Sequence, residues 1–220
     1  MDPATFFAAS RVVIVAGKGG VGKTTVTAAL ARAASLEGRN ALIVEVEGKS
    51  GLPTMFGATG PDDDAEAAEA ALAYDEITLA EAGRPEGSGE VRARTLTPDA
   101  AMLEYLESHG LSRVAKRLVS SGAIDTLATA APGIKDILVL GKVKQLERDT
   151  AVDLIVLDAP AAGHAITFLR SAKGLLDAVR VGPIHTQAAE VMELLEDADR
   201  CQVVLVTLPD GSQQKSEYDF

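Results

Sequence analysis

Short apolar runs separated by longer amphipathic stretches set the rhythm of this chain. Val12-Val13-Ile14-Val15-Ala16, Ala41-Leu42-Ile43-Val44-Glu45-Val46, the run from Val152 to Leu157 and the run from Val203 to Thr207 each read as a buried strand. After the first run, Val26, Ala29, Leu30, Ala33 and Leu36 recur at helical spacing until Gly38, a C-terminal stop. The pattern predicts further helices over 99–108, 111–120 and 134–148, and near 164–177 and 186–198, with Thr97-Pro98-Asp99 as a helix start. Residues 58–82 are rich in Ala and Glu and are predicted helical after Pro61. Gly83 to Gly89 is a loop, and Val91 to Leu96 a short candidate strand. Strands alternating with helices predict an α/β fold, a parallel sheet covered by helices on both faces. Ligands of such sheets bind beyond the carboxyl ends of the strands. Gly17, Glu47 and Asp158 are expected just past such ends. There is no internal repeat.

The residues after the first strand carry the clearest chemistry. Gly17-Lys18-Gly19-Gly20-Val21-Gly22-Lys23-Thr24-Thr25 fits the phosphate-binding pattern G-x-x-x-x-G-K-[ST]. Its place between a predicted strand and a predicted helix is the context that pattern needs. Triphosphate oxygens need many donors at close range. Glycines let backbone N–H groups crowd round them, and the helix N-terminus adds a favourable dipole. Lys23 would reach the β- and γ-phosphates, and the Thr24 hydroxyl would bind Mg²⁺. Asp158 follows the apolar run Leu154-Ile155-Val156-Leu157. A carboxylate there fits the second nucleotide motif, holding Mg²⁺ directly or through water. A nucleoside triphosphate and Mg²⁺ are therefore the expected ligands.

Composition narrows the rest. At 220 residues the chain is one domain, or one domain with an insertion, and 47% apolar content suits a globular core. No apolar stretch approaches the ~20 residues of a membrane helix, so no direct membrane insertion is expected. Residues 1–10 lack the features of a signal peptide. One cysteine, Cys201, excludes an internal disulfide and reads as an inert buried thiol, and a reducing cytoplasm is the expected setting. The net charge of −11 is local: residues 58–90 hold ten acids against Arg84 alone. That is a solvated face or an insertion, and it disfavours nucleic acid, which needs a basic footprint. The last ten residues, 211–220, show no periodicity and read as a disordered tail.

Lys18 gives the phosphate loop a particular form. Read alone it is a solvated loop lysine. Within the whole motif it resembles the deviant loop G-K-G-G-x-G-K-[ST] of dimeric ATPases such as the arsenical-pump and tail-anchored-protein-targeting ATPases, the septum-site and chromosome-partitioning ATPases and nitrogenase iron protein. That resemblance implies a lysine that crosses a dimer interface to the partner's nucleotide. Asp158-Ala159-Pro160-Ala161-Ala162-Gly163-His164 resembles the switch segment of the first two of these. It implies that Gly163 places a backbone N–H against the γ-phosphate and releases it after hydrolysis. His164 reads as a helix-start or interface histidine.

Val44-Glu45-Val46-Glu47-Gly48-Lys49 is similar to the actinobacterial branch of arsenical-pump-like ATPases. Glu47 then stands where these families carry an aspartate that orients the attacking water, and its other reading is a solvated loop acid. Glu45 and Glu47 share one strand face by period, with Glu47 nearer the site. The resemblance continues through 131–136, Gly141-Lys142 and 182–185 and covers about residues 10–209. The metalloid-binding cysteines of the pump ATPase and the C-x-x-C of the targeting dimer are absent, so arsenite activation is not expected.

The sequence is thus identified as similar to an arsenical-pump-like P-loop ATPase. Its organisation reads as one ATPase domain over 1–210 with a helical, acidic insertion around 58–150. The family continues beyond the point where this chain stops, so a C-terminal truncation is expected. The resemblance implies a homodimer, or a heterodimer with a paralogous ATPase, and a possible protein client. Gly17, Lys18, Gly19, Gly20, Val21, Gly22, Lys23, Thr24, Thr25 and Gly163 would contact nucleotide, Thr24 and Asp158 would organise Mg²⁺, and Glu47 would place the water. The alternative is a regulatory or partner subunit that binds nucleotide with little activity of its own.

Overall fold

In the computed structural model, residues 2–46, 51–57, 72, 75–108, 110–113, 117 and 133–209 are described. Glu47, most of the predicted helices over 58–82 and 111–120, residues 131–132 and the tail over 211–220 lie outside them. The elements are α1 (Pro3–Ala8), β1 (Val12–Gly17), α2 (Lys23–Leu36), β2 (Ala41–Glu45), α3 (Leu52–Met55), β3 (Ile77–Ala80) and β4 (Val91–Thr95). Next come α4 (Pro98–Ser108), α5 (Ile134–Glu147), β5 (Leu154–Ala161), α6 (Ala162–Ala178), α7 (Pro183–Glu196) and β6 (Cys201–Val206).

Six strands form one sheet in the order β3-β4-β2-β5-β1-β6. All neighbours are parallel except β3 and β4, which pair antiparallel. β1 and β2 are buried along their whole length and β5 through Leu157, as the near-continuous apolar runs demand of a sheet covered on both faces. Alternate residues serve alternate faces. Val13, Val15, Ala41, Ile43, Val91, Ala93, Leu154 and Val156 pack toward α1, α2 and α3. Val12, Ile14, Leu42, Val44, Ile155 and Leu157 pack toward α4, α5, α6 and α7. Small residues let α2 lie close to the sheet: Ala28, Ala31 and Ala34 are buried against it.

Two expectations are corrected. Residues 77–80 form a strand, not the end of a helix. Ile77-Thr78-Leu79 carries β-branched residues, and pairing with β4 outweighs the helix-favouring Ala and Glu before it. Asp158 does not lie beyond the strand but inside it, because β5 continues to Ala161. The register of β1 against β5 shifts between Val15 and Gly17. Pro160 sits in that irregular stretch, where a residue without an N–H cannot serve a regular ladder.

The opposite end of the sheet is held by Asn40. Its side-chain oxygen accepts from the Glu90 N–H at 3.0 Å, and its own N–H donates to the Asp153 carboxylate at 2.9 Å. These bonds tie the starts of β2, β4 and β5 together and hold one register at their functional ends. Farther off, Arg200 at the start of β6 donates twice to the Glu147 carboxylate, at 3.1 and 3.0 Å, joining β6 to the end of α5. The Cys201 thiol beside it is buried, and burial pushes its pKa up to about 12, so it is an inert thiol, as expected from the sequence.

Candidate functional site

The loop between β1 and α2 is shaped by its glycines. Gly17 ends β1 where β6 lies alongside, and a Cβ there would collide with the Val206 carbonyl oxygen. Gly20 and Gly22 take φ of +81° and +91°, the left-handed region that side chains avoid. Gly22 is the N-cap of α2 and supplies no side-chain oxygen, and the first turn of α2 holds no acidic residue. The N-terminus of this 14-residue helix therefore keeps its partial positive charge for an outside anion.

The neighbouring strand delivers a second helix start to the same end of the sheet. Ala161 pairs with Gly17, and α6 begins at Ala162 immediately after it. Gly163 falls in the first turn of α6, among backbone N–H groups without an intrahelical acceptor. The N-cap of α6, Ala161, has no capping side chain either. Two uncapped helix N-termini from adjacent strands thus flank one place, an arrangement that favours negative charge.

Thr24 and Asp158 meet at the foot of the loop. The Thr24 hydroxyl donates to Asp158 Oδ2 at 2.5 Å, in the range of a charge-assisted bond. Both side chains are half-buried. A hydroxyl and a carboxylate side by side are a hard-oxygen pair of the kind Mg²⁺ takes, with room left for water and phosphate ligands. The glycine loop, the open helix ends and this oxygen pair fit a magnesium–nucleotide complex. Lys23 is half-buried at the start of α2, whereas Lys18, Gly19, Gly20 and Thr25 are exposed. The loop residues, Gly163 and Asp158 are brought together at one end of β1 and β5. Glu47 lies outside the described residues.

Sequence reasoning passed over one neighbour. Glu45, the last residue of β2, stands in register with Asp158 on one side and Thr95 on the other. It is only 2% exposed, and the Thr95 hydroxyl donates to its Oε2 at 3.3 Å. Alternation along β2 reveals its face, but nothing local in the sequence reveals that β5 is the adjacent strand.

The profile of the anion-transporting ATPase family matches residues 10–205. The chain belongs to that family. It is 36% identical over 205 residues to ATPase BagA of Mycobacterium tuberculosis, an alignment covering 90% of this chain and 56% of the relative. It is 25% identical over 188 residues to ATPase get3 of Schizosaccharomyces pombe, covering 82% of this chain and 51% of the relative. ATPase get3 of Schizosaccharomyces japonicus is 27% identical over 157 residues, 71% of this chain and 42% of the relative. The chain thus spans about half the length of the curated relatives it matches. Among the described residues no helix is long and apolar enough to cross a membrane.

Proposed function

We propose that this chain binds ATP with Mg²⁺ at the β1–α2 loop and hydrolyses it by attack of water, as one subunit of a cytoplasmic dimer that couples hydrolysis to conformational change. The observation that carries the reading is the hydrogen bond from Thr24 to Asp158 beneath a glycine loop that opens onto two uncapped helix ends. The backbone N–H groups of residues 19–25 would cradle the phosphates, and Lys23 would neutralise charge on the β- and γ-phosphates. Thr24 and Asp158 would hold Mg²⁺, which supplies further neutralisation of the transferred phosphoryl group. Glu47 would orient the water, and the Gly163 N–H would sense whether the γ-phosphate is present. No covalent intermediate is required, because positioning and electrostatic stabilisation do most of the work in phosphoryl transfer.

Calorimetric titration with ATP, with and without Mg²⁺, together with phosphate release, tests this directly. The expected result is binding that Mg²⁺ strengthens and slow phosphate release. Absence of ATP binding under both conditions would overturn the reading.

A second reading, a partner subunit with little activity of its own, is favoured by one feature of β6. That strand lies at the sheet edge, and Val203, Leu205 and Leu208 are each about half exposed. This is apolar surface that a further segment or subunit would cover. Phosphate release by the chain alone, compared with a mixture containing a full-length paralogue, separates the two readings.

Lys18 provides the test of dimerisation. Its exposure at the loop suits a side chain that acts on a neighbouring subunit's nucleotide. ATP should shift the chain toward a dimer in sedimentation velocity. Lys18→Ala should lower turnover while leaving ATP affinity of the monomer nearly unchanged. A monomer with and without ATP, combined with normal turnover in the variant, would rule out a role in trans.

A further inference from the structure

We infer that Glu45 is a positioning carboxylate of the magnesium–nucleotide site, acting through its neighbour Asp158 to make the site selective for nucleotide that carries a divalent cation. This rests on the reading of the β1–α2 loop as an ATP site. The placement comes from the sheet. In a parallel sheet, residues in register on adjacent strands present their side chains to the same face. Glu45 is in register with Asp158, and Ile43 and Ala41, two and four positions before it, pack on the α2 face with Val156 and Leu154. Glu45 and Asp158 are therefore adjacent carboxylates on the face that carries the N-terminus of α2, on strands roughly 4.8 Å apart. Thr95 completes the row on β4.

Two neighbouring carboxylates in a largely buried setting repel each other. Glu45 is almost completely buried, so water cannot screen the pair from its side. A divalent cation held by Thr24 and Asp158 would relieve that repulsion, and a monovalent cation would relieve half as much charge. The carboxylate of Glu45 then contributes through the orientation of Asp158 and of water around the metal. Carboxylates in this outer position commonly set metal affinity by factors of about 10–100. The Thr95 hydroxyl holds Glu45 Oε2 in place for the task.

The inference predicts effects of opposite sign. Removing the charge should relieve repulsion in the metal-free protein and weaken the magnesium effect in the nucleotide complex. A residue that only supports the fold would lower stability and leave the magnesium effect alone. The experiment is calorimetry of the full chain with a non-hydrolysable ATP analogue, with Mg²⁺ and with a chelator, alongside melting of the metal-free protein. In Glu45→Gln, the gain in affinity that Mg²⁺ confers on the parent should shrink on the order of 10-fold or more, with a melting temperature equal to or above the parent's. Glu45→Asp keeps the charge and should recover most of the gain.

An unchanged magnesium gain in Glu45→Gln overturns the inference while leaving the nucleotide site intact. So does a lowered melting temperature of the metal-free Gln variant, or an Asp variant that behaves like Gln. A parent chain whose analogue affinity is indifferent to Mg²⁺ removes the assignment of Thr24 and Asp158 as metal ligands, and this inference with it.

Discussion

Replacing Lys23 with alanine is expected to take ATP hydrolysis below detection and to weaken triphosphate binding. Lys23 begins α2, directly after the left-handed Gly22, so in the proposed complex its backbone N–H and its ammonium would address the same phosphates. The ammonium is the part the variant removes. A hydrogen bond to a charged group contributes about 1.5–3 kcal/mol, which corresponds to roughly 10–100-fold in affinity. The effect on turnover is larger, because charge on the phosphoryl oxygens and the leaving group is redistributed as the bond breaks. Loss of a cationic or hydrogen-bonding stabiliser at such a point costs on the order of 10³-fold in rate. The two losses are read separately, by calorimetry and by phosphate release. The fold should be intact, since Lys23 makes no contribution to either apolar cluster. Hydrolysis that persists at the parental rate would remove the loop from the chemistry.

The glycine loop between β1 and α2 was legible in the sequence because its information is local. A glycine required by a left-handed φ, as at Gly20 and Gly22, is required whatever the rest of the chain does. The inner strands were legible for a related reason. A parallel strand buried on both faces is apolar at nearly every position, and β1 and β2 are buried throughout. Helices α2, α5, α6 and α7 each lie within a few residues of the predicted spans.

What was not legible depends on pairing across the sheet. The strand β3 follows an Ala- and Glu-rich stretch and reads locally as helix, and only its antiparallel partner β4 makes it a strand. Asp158 was expected at a strand end because the apolar run stops at Leu157. The strand continues because its next three residues still lie against β1, through an irregular register around Pro160. Glu45 shows the limit most clearly. Period two put Glu45 and Glu47 on one face, and distance along the chain favoured Glu47 for the site. The strand order sets β2 beside β5, which brings Glu45 level with Asp158. Register between strands distant in sequence is a tertiary property, fixed by burial of the whole face and by anchors such as Asn40.

Glu45 and Glu47 should therefore separate by phenotype, and Glu47→Gln is the more severe change for turnover. Glu47 comes two residues after the end of β2 in the sequence, and its water-orienting role is the one the family resemblance implies. Glutamine keeps the size of the side chain and removes its charge, so ATP should still bind with the parental magnesium dependence. On the proposed mechanism, what is lost is a group that would accept a hydrogen bond from the attacking water strongly enough to orient it. Loss of such a group costs on the order of 10²–10⁴-fold in rate. Single-turnover phosphate release measures this step without interference from product departure. The expected pattern is slow release from a fully bound complex, opposite to that of Glu45→Gln, in which the magnesium gain shrinks. Loss of ATP binding in Glu47→Gln would move this residue from catalysis to the architecture of the loop. Normal release would leave the water to be oriented by another group at the ends of β2 and β5.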